Sequence, residues 1–250
     1  MDSVRYTWAG GEEGGALELA LVNGTHGQPY LFGEGDCRLP VELRDFHMAT
    51  VPVTQAFWTH IAGARANPSL NQGLELPLEN VSWNELTQAG GFLERLNRSP
   101  ARTWVSATLG ASAGVFRLPS ETEWEYAARG GPHWGDNYRF SGSDDIATVA
   151  WYDRRHGDHT QPVGRKAPNQ LGLLDMSGNV WEWCQDVFTA QAADVPQDGT
   201  AFRGPGTERV LRGGCFHNWA AHCTVSKRYQ IAPDFHDGCI GFRLVFATHG

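Results

Sequence analysis

The chain never runs far without a glycine or a proline, and this constrains its fold more than any other feature. Thirty glycines and thirteen prolines force many turns between few regular elements, while ten tryptophans supply rigid apolar bulk between the loops. Hydrophobic residues make up 41% and charged residues 19%, enough for a real core. No apolar run approaches the ~20 residues needed to cross a bilayer, so no membrane span is expected. The N-terminus lacks a basic patch followed by an apolar stretch, so no signal peptide is expected either.

Twenty basic against 28 acidic residues give a net charge of −8, which opposes polyanion binding and makes nucleic acid an unexpected partner. The acidic residues are spread along the chain, as in an ordinary solvated surface. Cys37, Cys184, Cys215, Cys223 and Cys239 are odd in number and show no CxxC spacing. Neither a disulfide framework nor a structural zinc site is therefore expected. Thiols used as small buried apolar groups suit a reducing compartment, hence the cytoplasm or display on a phage or cell surface by another route.

Residues 1–38 read as a weak strand region centred on 16–22, where alternation is partial and glycines flank both sides. Thr54 is a good N-cap for a helix with Phe57 and Ile61 on one face. Ser82 and Glu85 form a capping box, and Leu86, Ala89, Leu93 and Leu96 extend a helix to about Asn97. The box recurs at Ser120 and Glu123, with Trp124, Ala127 and Ala128 as the buried face and Gly130 as the stop. Beyond Gly131 lies a long loop region, with Trp134, Trp151 and a charged cluster at 153–159, that must be packed by its own aromatics. Short strands are expected over 180–183, 210–212 and 240–246. With no linker, repeat or low-complexity tract, residues 1–250 read as a single domain.

Six segments carry a resemblance: PVT at 52–54, PLENVSW at 77–83, FRLPSETEWEYAAR at 116–129, GLLDMSGNVWEW at 172–183, RVLRGG at 209–214 and IGFRLV at 240–245. In this order they resemble the formylglycine-generating-enzyme, or sulfatase-modifying-factor, superfamily over about residues 45–246. Residues 1–44 look divergent from the family's opening. The resemblance implies an α+β, C-type-lectin-like domain: little regular structure, a small twisted antiparallel sheet, a few helices and long loops.

It also bears on chemistry. Family members that oxidise sulfatase cysteines hold copper between two thiolates five residues apart, a soft pair suited to Cu(I). Here Cys223 matches the second position, but Asn218 stands at the first. Cys215 lies eight residues before Cys223, where the family commonly has serine. A copper or iron oxidase would need Cys215 and Cys223, or the histidines, to converge on one metal. His217, His222 and His236 gather in one segment, with His156 and His159 elsewhere. Relatives with a calcium site imply the Asp175 side chain, the Gly178 and Val180 carbonyls and the Glu182 side chain as ligands, oxygen donors of the kind calcium takes. On the residues alone, Glu182 could equally pair with an arginine and Asn179 cap the loop, with Trp181 and Trp183 in the core.

Residues 215–239 sit in a family-like frame but depart from the usual pattern inside it: Cys215-Phe216 replaces Ser-Trp, and Thr224 and His236 replace arginines. The segment resembles the variable region of diversity-generating-retroelement proteins, where randomised AAY codons can yield most residues but never Lys, Glu, Gln, Met or Trp. Trp219, Lys227 and Gln230 would then be fixed or arise otherwise. Mixed rings, imidazoles and small residues suit a binding surface. The expectation is a ligand-binding protein whose scaffold displays Phe216, His217, Trp219, His222, Thr224, Tyr229, Ile231, Phe235, His236 and Asp237 to a protein or other macromolecular ligand. The alternatives are the metal-dependent oxidase and a non-catalytic structural or partner-binding member.

Overall fold

The computed structural model describes residues 3–9, 14–35, 38–155 and 157–248, so Cys37 and His156 lie outside the described residues. The chain opens with β1 (Ser3–Trp8), β2 (Gly15–Val22), β3 (Tyr30–Phe32), β4 (Leu39–Val41) and β5 (Phe46–Ala49). Then come α1 (Gln55–Ala62), α2 (Trp83–Thr87), α3 (Phe92–Asn97), α4 (Pro100–Leu109), β6 (Val115–Arg117), α5 (Glu121–Ala128) and α6 (Ile146–Val149). Short strands β7 (Ala150–Trp151) and β8 (Ser177–Gly178) precede β9 (Trp181–Val187), β10 (Arg209–Arg212), β11 (Arg228–Ile231), β12 (Ile240–Phe242) and β13 (Val245–Ala247).

Two sheets organise these elements. The first is antiparallel in the order β1-β2-β5-β13-β6, so the two ends of the chain meet in it. The opening residues, divergent from the family in sequence, supply two strands of this sheet. Alternation explains β1, where Val4 and Tyr6 are buried and their neighbours exposed, and Leu17 and Leu19 of β2 enter the same core as Phe116 and Phe246. The second sheet, β11-β10-β9-β12, is mixed rather than purely antiparallel, because β12 runs parallel to β9. Its strand β9 is covered on both faces, so Trp181, Glu182, Trp183 and Cys184 are consecutive buried residues, the pattern of a strand without a wet side.

Residues 240–246 form two strands rather than one. β12 belongs to the second sheet and β13 to the first, and Arg243 and Leu244 carry the chain between them while fully buried. The helix expected from Ser82 to Asn97 is likewise two helices. Its capping box is present, but Gly90 adopts φ 74° and the backbone doubles back. A Cβ on Gly91 would lie 2.7 Å from the Glu85 carbonyl oxygen, so only glycine permits that return. Helix α4 follows Ser99 with proline in its first turn and ends at Gly110 in the left-handed conformation, a signal the hydrophobic pattern did not convey.

Aromatics fill the interior as the tryptophan content implies. Trp58 stacks on Phe92 at 4.4 Å, and Phe92 meets Phe242 edge-on at 5.4 Å. Such pairs add ~0.5–1.5 kcal/mol each beyond simple burial. The long segment after α5 is held by polar clamps as well as rings. Asn169 donates to the Ala127 carbonyl and accepts from the amides of Leu171 and Leu173. Asn179 exchanges two hydrogen bonds with the Gln161 backbone, and Lys166 lies 4.2 Å over the Trp151 ring. Among the described residues no helix is long and apolar enough to cross a membrane.

Candidate functional site

Strand β10 ends at Gly213 and Gly214, both at positive φ, and the chain turns sharply out of the second sheet. A Cβ on Gly214 would lie 2.8 Å from Cys223 Sγ, so the outgoing and returning halves of the loop touch there. The loop root is pinned to the framework: the Phe216 amide donates to the Asn179 carbonyl, and the Asp153 and Arg154 amides donate to the carbonyls of Asn218 and Phe216. The chain returns as β11, the edge strand beside β10. The stretch after it is tied down by Asn84, whose amide donates to the Pro233 carbonyl, and by Asn80, which bonds the Asp237 carbonyl and the His236 ring.

On this frame Trp219 is 72% exposed, Tyr229 45% and Phe235 42%. The Tyr229 ring stacks on Trp181 with centroids 5.4 Å apart and planes inclined by 30°. His236 and Asp237 are exposed, and His217, His222, Thr224 and Ile231 half-buried. Phe216 departs from the expected display. It is only 9% exposed and packs in the core with Cys215 and Trp181, its edge meeting the His217 ring.

The cysteines are not arranged as the two-thiolate oxidase alternative requires, and Cys223 is a packing residue as its position suggested. Cys215, His217 and Cys239 bring their ligating atoms within 4.8 Å of one another, the one such three-residue group found among the described residues. Cys215 Sγ lies 3.7 Å from His217 Nδ1 and donates to Asn218 Oδ1 at 3.1 Å. Burial pushes the Cys215 thiol up, but hydrogen bonds from Cys239 and His217 outweigh it and hold the thiol down to about 6. The hydrogen bond with Cys215 raises His217 against its desolvation, and the one between Cys215 and Cys239 pushes the Cys239 thiol far up. Cys223, by contrast, joins a separate apolar group with Phe140, Val149, Ala150 and Tyr152. Burial, with the charge on Cys215, pushes it up to about 12. The thiol partner of Cys215 is therefore Cys239. Asn218, which stands where the family's first copper thiolate would be, hydrogen-bonds both the amide and the thiol of Cys215.

The proposed calcium ligands lie in the core. Asp175 takes a left-handed φ of 57°, accepts from the Gly164 amide through Oδ2, and leaves Oδ1 buried without a partner. Burial raises its pKa to about 6. Both oxygens of Glu182 are already engaged, by the Arg243 guanidinium and by Trp124 Nε1. The Arg243 guanidinium and the Trp124 indole therefore compete with any cation for the Glu182 carboxylate. Trp181 and Trp183 are core residues, as expected.

Sequence comparison places these observations in a family. A model of the sulfatase-modifying factor enzyme 1-like domain matches residues 14–248. The chain belongs to that family. The match begins well before residue 45, in agreement with the strands that the opening residues contribute. Among the relatives of this sulfatase-modifying-factor domain is the chaperone protein LppX of Paenibacillus barcinonensis, 34% identical over 210 residues, covering 70% of each chain. The formylglycine-generating enzyme of Streptomyces coelicolor is 33% identical over 213 residues, which are 77% of this chain and 59% of the enzyme. The chain therefore spans less than two thirds of that enzyme's length. Among solved structures, Treponema denticola variable protein 1 superposes with a TM-score of 0.74 at 27% identity, covering 97% of this chain and 98% of that one.

Proposed function

We propose that this chain is a ligand-binding member of the family, whose framework presents the loop surface of residues 217–238 to a protein or other macromolecular ligand. The observation that carries this is the exposure of Trp219, Tyr229 and Phe235 on a segment whose two ends are pinned into the core. Exposed rings offer contact area at low entropic cost, and loops on a rigid scaffold tolerate exchange. The full-length likeness to a variable protein supports the reading. The replacement of the family's first copper thiolate by Asn218 weighs against the oxidase alternative.

The test is made on the gene and on the protein. Sequencing the locus across isolates should reveal a near-identical repeat of the segment encoding 217–238 beside a reverse transcriptase, with variation at adenine positions of that repeat. A ligand selected from a displayed library against the wild-type protein should lose at least ~10-fold affinity to the Trp219→Ala variant, in line with an aromatic anchor. Stoichiometric copper with oxygen consumption on a cysteine-containing peptide would overturn the proposal in favour of an oxidase.

A further inference from the structure

Cys215 and Cys239 are both free thiols, buried beneath the loop surface, and only His217 of the Cys215–His217–Cys239 group belongs to that surface. The geometry of the group is that of a cation site. Zinc takes thiolate sulfur at about 2.3 Å and imidazole nitrogen at about 2.0–2.1 Å in a tetrahedron, which spaces neighbouring donor atoms by ~3.5–3.8 Å. The Cys215 Sγ to His217 Nδ1 separation is 3.7 Å, and no pair in the group exceeds 4.8 Å. Small side-chain rotations suffice to seat an ion.

The three donors are also held from different directions. Cys215 follows directly on the glycine turn, and its amide donates to Asn218 Oδ1. The Cys239 amide donates to Asp237 Oδ1, and its carbonyl accepts from the Trp181 amide in the second sheet. His217 is half-buried, so the group reaches solvent along one side. Two thiolates drawn from points twenty-four residues apart explain why cysteine spacing gave no warning of a metal site.

We propose that Cys215, His217 and Cys239 bind one zinc ion. Two thiolates and an imidazole are donors that zinc accepts, and three protein ligands leave a coordination position open. The site differs from a five-apart thiolate pair in both ligands and register. Cys223 takes no part. The proposal goes beyond the binding reading and does not depend on it, because the ion can be present whether or not the loop surface has a ligand.

The test uses the full chain, stripped of metal and kept reduced with a phosphine. Cobalt(II) titration should give one equivalent of a tetrahedral complex, seen as thiolate-to-cobalt charge transfer in the near ultraviolet with intense visible bands. Zinc should displace it. Cys215→Ser and Cys239→Ser should abolish the charge-transfer band, His217→Ala should weaken cobalt binding at least ~10-fold, and Cys223→Ser should leave it unchanged. Circular dichroism reports whether each variant is folded. Because a buried cysteine variant can fail to fold, X-ray absorption of the zinc-loaded wild type is the second measurement, with two sulfurs and one imidazole expected in the zinc shell. Absence of the cobalt–thiolate band in the wild type, a shell of oxygen and nitrogen alone, or a band that survives in folded Cys239→Ser would overturn the proposal. Binding of copper(I) by the same residues with no binding of zinc would overturn the assignment of the metal.

Discussion

Arg243 shows what a single buried charge can decide. Its guanidinium spans both oxygens of Glu182 and donates to the carbonyls of Ala49 and Leu174, with neither ionic side chain exposed. Truncating one partner of such a pair leaves the other as an uncompensated buried charge, at a cost of about 3–5 kcal/mol. Arg243→Ala should lose that much in urea unfolding, whereas an exposed pair such as Arg165 with Glu75 should lose under about 1 kcal/mol. The same pairing bears on calcium. With Glu182 paired to a guanidinium, Asp175 Oδ1 is the one oxygen of the two carboxylates without a hydrogen-bond partner, and calcium needs about six to eight oxygens. Neither calcium nor a chelator should therefore move the melting temperature. A calcium-dependent rise that vanishes in Asp175→Asn would restore the calcium reading. That Glu182 meets an arginine was one of two readings open from its sequence position; which of them holds depends on a residue sixty-one positions away.

At the scale of elements, the capping boxes of α2 and α5 were legible because both partners lie within one turn. Less legible was the rest of α5, where Glu121, Glu123 and Glu125 are all buried against arginines from β10, β11, β6 and the helix end itself. A helix with alternate glutamates reads as solvated until its partners are known. Its first amide is held by Asp186 of β9, whose other oxygen accepts from the Phe202 amide. Burial, with the nearby Glu121 charge, raises Asp186 to about 7, and burial alone dominates in raising Glu79 to about 7 and Asp175 to about 6. For a carboxyl raised in the folded state, the unfolded chain ionises first as pH increases. Its contribution to stability is present in full below the unfolded value and is lost up to the folded one. These three groups therefore make stability fall between about pH 4 and pH 7. Glu125 works in the opposite sense: despite its desolvation, Arg212 and Arg129 hold it low, and its contribution disappears only as pH falls through that lowered value. Asp186→Asn should isolate one of these contributions: measured against the wild type, its relative melting temperature should rise as pH increases from 5.5 to 7.5, because the amide cannot ionise. A difference between the two proteins that does not change over that range would contradict the assignment.

Across the whole molecule, the fold was readable from motif order and glycine usage because these mark where turns must lie. The chain's crossing from one sheet to the other at Arg243 and Leu244 was not, since continuous burial erases the period that separates two strands. For the loop surface, sequence reasoning could define the segment but could not tell which of its side chains turn inward. Phe216 and Trp219 lie three residues apart and look equally displayed in the sequence, yet one is core and the other is the most exposed large apolar residue described. The difference follows from the glycine turn. Gly213 and Gly214 aim the first two residues of the loop back toward Trp181 and β9, and the chain escapes the core only after the Asn218 carbonyl has bonded the Asp153 amide. Unfolding measurements should separate the two positions. Phe216→Ala should cost about 3–5 kcal/mol, as for an aromatic side chain deleted from a packed core. Trp219→Ala should stay within about 0.5 kcal/mol of the wild type, as for a surface change away from structural features. If so, packing limits sequence exchange at the start of the segment and at the buried Cys223 and Val225, and the exposed positions from residue 217 onward can vary without loss of the fold. A costly Trp219→Ala would instead place that ring in the framework and remove the strongest support for a displayed surface.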